Sequence, residues 1–307
     1  MRKKIFIIGI GGLLGYNLGI IAKKEFQVFG SYNFRKPDLE FVNLIKLDLK
    51  DFEKVKKILE KIKPDFLVNT AAISSVDFCE KNIKECQMIN TTVVENLVKL
   101  SKDLEIKLVQ ISTDSVFDGT KDLPYVEEDK PNPINEYGKS KLKSEEIVLK
   151  QPKNLVIRVS VLYGWLPRTL IEISSSSKKS LNFAQWLIQK LKQNEEIKIV
   201  TDEVSSPIIA DDLAKSIIHL IKNDQSGVFH SAPEISINRY EFSKNIAQIF
   251  KLNTDLILPL TVKELGREVN TGKNKSLNSK KIINTGFKFL TLQDSLIKLK
   301  EKSEVEH

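Results

Sequence analysis

The chain has 307 residues, 41% hydrophobic and 29% charged, a balance that suits a soluble globular protein with a sizeable core and excludes a disordered or fibrous chain. Its formal charge of +8 comes from 48 lysines and arginines set among 40 acidic residues. Because the two signs mix along helical stretches such as 51–63, they describe solvated helix faces and not a nucleic-acid surface.

In chain order, the first element is a strand over Lys4–Ile8. Its apolar run ends at glycines, too short for a signal peptide or a membrane span, so a cytoplasmic protein is expected. Gly9, Gly12 and Gly15 follow as G-x-x-G-x-x-G, and Leu14 stands where the G-x-G-x-x-G pattern has its third glycine. A strand, a glycine turn and a helix opening at Leu13 and Leu14 bring backbone amides and the positive helix end against a pyrophosphate. The second strand, over 27–30, leads to Arg35 and Lys36 without the acidic residue expected about 20 positions after the glycines. A cation there meets a ribose 2′-phosphate, so NADP is expected over NAD.

The third strand, 44–47, delivers Asp48 and Leu49 to the sheet edge where an adenine would lie; Asp48 serves equally as an N-cap for a helix from Lys50. In that helix Phe52, Val55, Ile58, Leu59 and Ile62 recur every three or four residues, and Pro64 stops it. The fourth strand, Phe66–Asn69, ends in Thr70, Ala71, Ala72 and Ile73, mostly small residues that let a dinucleotide pass over the strand ends. Cys79 and Cys86 read as reduced structural thiols, and with three histidines in the chain no zinc-type cluster assembles.

The fifth strand, 108–111, closes with Ser112, Thr113 and Asp114, and a helix then opens with Tyr137-Gly138-Lys139-Ser140-Lys141. Residues four apart share a helix face, so Tyr137 and Lys141 point together. An ammonium beside a phenol favours the phenolate and brings a group of pKa ~10 toward proton exchange at neutral pH. In carbonyl reduction Tyr137 would donate the proton, Thr113 would hydrogen-bond the same oxygen, and Lys141 would also hold the nicotinamide ribose. After a sixth strand, Leu155–Val159, the pattern loosens, and 174–179 (SSSSKK) reads as a low-complexity loop. Helices follow from near Leu181, over 211–221 and over 238–250. The expected fold is a doubly wound parallel α/β sheet of Rossmann type. Residues 1–165 with 204–231 form the NADP-binding domain, and 166–203 with 232–307 form a smaller substrate-binding portion.

The glycine loop, the P-D-F-L-V-N-T-A-A segment from Pro64, S-T-D-x-V-F-D-G from Ser112, Tyr137 to Lys141, R-V-S-V-L-Y-G from Arg158, Asn182-Phe183-Ala184 and Ser206-Pro207 together resemble the dTDP-4-dehydrorhamnose reductase family of extended short-chain dehydrogenases. The resemblance implies Thr113, Tyr137 and Lys141 as the catalytic trio, and Val76, Asp114, Asn182 and Phe183 as residues lining a sugar-nucleotide pocket. The chain departs from it at Ser115 and Val161, where the family usually has tyrosine and tryptophan, and at Thr271-Gly272 in place of Arg-Pro. Some members bridge dimers through a metal held by a carboxylate at the position of Asn17, so no metal is expected here. Phe34-Arg35, Phe117-Asp118-Gly119 and Leu162-Tyr163-Gly164 are also similar to the regulatory β subunit of methionine adenosyltransferase, in which the fold serves binding.

The leading expectation is therefore NADPH-dependent reduction of a nucleotide-linked 4-keto-6-deoxy sugar. A sugar-nucleotide epimerase or dehydratase with resident NAD, and a non-catalytic NADP-binding subunit, stand as alternatives. Neither nucleic acid nor membrane is an expected partner. A homodimer is expected, with helices from near Lys81 and Asn135 pairing across a two-fold axis and burying Met88, Val93 and Leu97.

Overall fold

The computed structural model describes residues 2–171 and 181–305, so the serine-rich stretch 174–179 lies outside the described residues. Seven parallel strands form the central sheet: β1 (Lys4–Ile8), β2 (Gln27–Tyr32), β3 (Asn43–Lys46), β4 (Phe66–Asn69), β5 (Lys107–Thr113), β6 (Leu155–Val159) and the strand Gly227–Ser231. From one edge the order is Gly227–Ser231, β6, β5, β4, β1, β2, β3. The order turns back between β1 and β4, which opens a crevice at the carboxyl ends of these two strands.

In β1 alternate side chains feed opposite cores. Ile5 and Ile7 pack with Leu14 and Leu18 of the Leu13–Ala22 helix and with Leu213 and Ile217 of the Ala210–Lys222 helix. Phe6 and Ile8 pack with Val55 and Leu59 of the Phe52–Ile62 helix and with Val93 and Leu97 of the Val93–Asp103 helix. A strand covered on both faces has no polar side to display, which is why it reads as an unbroken apolar run. The Phe52–Ile62 helix takes Asp51 as its N-cap, whose carboxylate accepts from Lys54 N at 3.0 Å. Asp48 instead accepts from Lys50 N at 3.0 Å in the turn before it. A third apolar cluster joins the helices Phe183–Lys192, Arg239–Ile249 and Leu292–Glu304 beyond the sheet.

Two expectations are corrected. Val93 and Leu97 belong to the chain's own core at 1% and 0% exposure, because amphipathic spacing specifies an apolar face without saying what covers it. Cys79 and Cys86 are joined as a disulfide. On one continuous helix residues seven apart would lie ~10.5 Å from each other. Here the Val76–Lys81 helix stops at Asn82 (φ −135°) and a new one, Ile83–Gln87, starts, so the Cα atoms come to 5.2 Å.

Behind the crevice, Arg158 of β6 forks onto Glu145 of the Glu136–Val148 helix, with Nε at 3.0 Å from Oε1 and Nη2 at 2.7 Å from Oε2. Ser112 Oγ donates to the same carboxylate, and both members of the pair are buried. His230 lies beside Arg158, its protonation pushed down to about 3 by burial first and then by the guanidinium. The buried charges of Arg158 and Glu145 therefore offset each other.

Candidate active site

The glycine turn is shaped by backbone. Gly9 closes β1 with φ +81°, where a Cβ would lie 3.0 Å from Thr70 Oγ1 and 3.1 Å from Ala71 N. A Cβ on Gly15 would fall 2.3 Å from the carbonyl oxygen of Gly9, so this glycine seats the helix on the turn. Gly12 is different: its nearest neighbour would be 3.4 Å away, and the protein itself does not demand a bare position there. Gly11, overlooked in the spacing, is demanded, because its Cβ would sit 2.2 Å from Arg35 O. That contact holds the loop after β2 against the turn.

A cavity of about 330 Å³ opens between these loops, lined by Gly9, Gly12, Arg35, Asp48, Leu49, Ala71, Ala72 and Ile73 among others. Leu13, Leu14 and Gly15 do not line it; Leu14 is in the core and Gly15 packs on Gly9. Gly11, Phe34, Thr70 and Ile89 do line it. Burial alone lowers the Arg35 guanidinium from its ordinary value. A bare glycine backbone, a cation at the end of the second strand and a groove across the switch point fit a dinucleotide bearing an extra phosphate.

The second half of the site lies where β5 ends. Asn135 caps the Glu136–Val148 helix by accepting from Gly138 N at 2.8 Å. Gly138 lets that helix touch the loop after β5, since a Cβ there would meet Ser115 O at 2.1 Å. The close approach brings Tyr137 to Thr113, close enough for the Thr113 hydroxyl to act on the phenol. Burial pushes the Tyr137 phenol up to about 12; the Thr113 hydroxyl opposes this and the Asp114 charge adds to it. The phenol is thus held in its proton-donating form at neutral pH.

Lys141 lies one turn further on, and its Nζ donates to Ile111 O at 2.6 Å. Burial brings it down to about 8, against the pull of Glu145. Burial, Thr113 and Asp114 act on Tyr137, while the Lys141 ammonium donates to a backbone carbonyl of β5.

Asp114 is buried and accepts from Ser160 Oγ at 2.7 Å, Thr113 Oγ1 at 3.2 Å and Ser115 Oγ at 3.2 Å, with Lys275 Nζ 3.8 Å away. Asn182 caps the Phe183–Lys192 helix and donates to Gly164 O at 2.9 Å. The Phe183 ring lies under the Arg239 guanidinium at 4.6 Å. Val76 opens its helix half-buried behind the Ser75 cap. Asn90 was not anticipated: it accepts from Ile73 N at 2.9 Å and donates to Ile73 O at 3.0 Å and to Ser140 Oγ at 3.1 Å. It thereby clips the cavity wall to the Tyr137 helix. A lone asparagine in an apolar helical stretch, here the π-helical turn Met88–Thr92, was the available signal.

Asn17 accepts from Lys302 Nζ at 2.7 Å, and the same ammonium reaches Asp211 at 2.7 Å. Among the described residues no group of three His, Cys, Asp or Glu could hold a metal ion, and no helix is long and apolar enough to cross a membrane.

A parallel sheet with a glycine turn at its switch point, and a Tyr-x-x-x-Lys helix packed on the strand that ends in Thr113, define the extended short-chain dehydrogenase fold. Residues 3–303 match the RmlD substrate binding domain family, and the chain belongs to that family. It is 30% identical over 297 residues to a probable low-salt glycan biosynthesis reductase, Agl14, of Haloferax volcanii, covering 96% of each chain. It is 29% identical over 278 residues to methionine adenosyltransferase 2 subunit beta of Xenopus tropicalis, covering 86% of this chain and 77% of that one. Among solved structures it is similar to dTDP-4-dehydrorhamnose reductase from Bacillus anthracis in complex with NADP. There the TM-score is 0.85 at 27% identity, covering 98% of this chain and 100% of that one.

Proposed function

We propose that the chain is an NADPH-dependent reductase of a nucleotide-linked 4-keto-6-deoxy sugar. The observation that carries this reading is the Tyr137 phenol, held in its protonated form and interacting with Thr113 at the end of β5, in a chain whose glycine turn opens a groove at the switch point. NADPH, when bound, supplies the hydride for the carbonyl carbon. Gly9 and Gly12 would face its pyrophosphate together with the amides of Leu13, Leu14 and Gly15, Arg35 its 2′-phosphate, Asp48 and Leu49 its adenine, and Ala71, Ala72 and Ile73 its passage over the strands. Tyr137 donates a proton to the carbonyl oxygen, and the Thr113 hydroxyl holds that oxygen. Val76, Asp114, Asn182 and Phe183 line the sugar side. The cofactor portion in this reading is 1–165 with 204–231, and the substrate portion is 166–203 with 232–307. The working form is a cytoplasmic homodimer whose contact includes Ile83 and Met88, exposed at 42% and 38%.

Arg35→Ala is expected to weaken NADPH binding by about tenfold or more and NADH binding little, because the lost charge-assisted contact is to a phosphate that NADH lacks. Fluorescence titration of both cofactors checks this; equal losses would remove Arg35 from that role. Binding of NADPH should also weaken as pH rises through about 8, where Lys141 loses the ammonium assigned to the ribose. The sign for folding is opposite. Lys141 is lowered from 10.5 to about 8, so in that window the unfolded chain binds more protons and stability rises with pH. Lys141→Arg should flatten the binding decline.

The likeness to the methionine adenosyltransferase subunit across 86% of the chain supports a second reading, a non-catalytic NADP-binding partner. Single-turnover loss of NADPH absorbance with a panel of nucleotide-linked 4-keto sugars separates the two readings. Turnover supports the reductase, and tight NADPH binding without turnover supports the partner subunit.

A further inference from the structure

The reductase reading gives no role to Lys275, a largely covered cation beside Asp114. Lys275 comes from the C-terminal portion, its side chain only 15% exposed, and reaches the residues after β5. Its Nζ donates to Ser115 Oγ at 3.2 Å and lies 3.8 Å from Asp114 Oδ1. The backbone around it is pinned: Lys275 N donates to Val204 O at 3.0 Å and Leu277 N to Ser206 Oγ at 3.1 Å. Ser206 N in turn donates at 3.1 Å to Ser160 Oγ, the hydroxyl that serves Asp114 Oδ2.

The crowding falls on Asp114 Oδ1, which takes both the Thr113 and the Ser115 hydroxyls at 3.2 Å. Thr113 Oγ1 already accepts from Ser115 N at 3.1 Å. A hydroxyl has one proton. If Thr113 commits it to Asp114, none is left for a substrate carbonyl. Lys275 supplies the alternative, since its ammonium donates to Ser115, Ser115 donates onward to Oδ1, and the positive charge offsets the carboxylate.

We propose that Lys275 is a positioning residue: by satisfying Asp114 it frees the Thr113 hydroxyl to turn its proton toward the substrate oxygen. The proposal rests on the reductase reading and names what holds its carbonyl-binding pair in order. Another charge acting with Asp114 is Arg239, stacked on Phe183, which has no hydrogen bond to Ser115 among the described residues. The Asp114 charge also acts on Tyr137 in the direction that holds its proton, so removing Lys275 should strengthen that hold.

K275M should lower kcat by about tenfold or more with little change in KM for NADPH, and should move the alkaline loss of activity to higher pH. K275R should restore most of both. In a D114N background K275M should cost little further, because the charge to be balanced is gone. Equal losses in the two backgrounds, or a K275M enzyme within about twofold of wild type with an unmoved pH profile, would overturn the proposal. A merely structural lysine would lower the melting temperature and leave the profile in place. If wild type reduces none of the sugars, the functional reading fails separately. Lys275 is then read by 13Cζ-tyrosine NMR, with Tyr137→Phe assigning the signal: in K275M the onset of Tyr137 ionisation should come at higher pH, and an unchanged onset would refute the coupling. Should K275M not fold, K275Q is measured the same way.

Discussion

Tyr137→Phe is expected to lower kcat by about a hundredfold or more while NADPH affinity stays nearly unchanged. The substitution deletes the proton donor and keeps the ring where the Asn135 cap and the Gly138 contact place it. The phenol is neutral before the change, since burial holds it near 12, so no buried charge is removed and folding should persist. A stopped-flow measurement of NADPH oxidation with the accepted sugar, beside a cofactor titration, checks both halves. Retention of more than about a tenth of kcat would make the lost donor worth under ~1.4 kcal/mol of barrier. That is too little for a general acid, and Tyr137 would lose its role.

Arg158→Met should destabilise the fold by about 3–5 kcal/mol, a large share of the ~5–15 kcal/mol that typically separates folded from unfolded chains. The loss comes less from the vanished attraction than from what remains: Glu145, 2% exposed, would keep a buried charge whose hydrogen-bond partner among the described residues, with Arg158 gone, is Ser112. Glu145→Met added to Arg158→Met should therefore recover most of the stability. Because Glu145 sits one turn beyond Lys141, the single variant should also blunt NADPH binding. Urea denaturation of the wild type and the three variants tests this. A single-variant loss below about 1 kcal/mol would mean that the pair contributes little.

The sheet was legible because parallel strands buried on both faces have no polar alternation to obscure them, and β1, β4 and β6 fall at the expected positions. The cavity wall was legible for a related reason: short runs of glycine and alanine at strand ends have little use other than close approach. What escaped depended on contacts distant in sequence or on a break in a helix. Nothing near Asp114 announces Lys275, 160 positions from Ser115. The kink at Asn82 that pairs Cys79 with Cys86 is a single backbone choice. Helical spacing placed Tyr137 and Lys141 on one face but could not reveal that Ile111 O would take the ammonium. It likewise could not tell an intramolecular face at Val93 and Leu97 from a dimer face.

The most direct test of the central claim follows deuterium from NADPH labelled at nicotinamide C4, incubated with the protein and a nucleotide-linked 4-keto-6-deoxy sugar, into the recovered sugar by mass spectrometry and NMR. A reductase gives one deuterium at the former carbonyl carbon with wild type and essentially none with Tyr137→Phe. Tight NADPH binding with no label in any sugar offered would contradict the account and leave the chain a cofactor-binding partner.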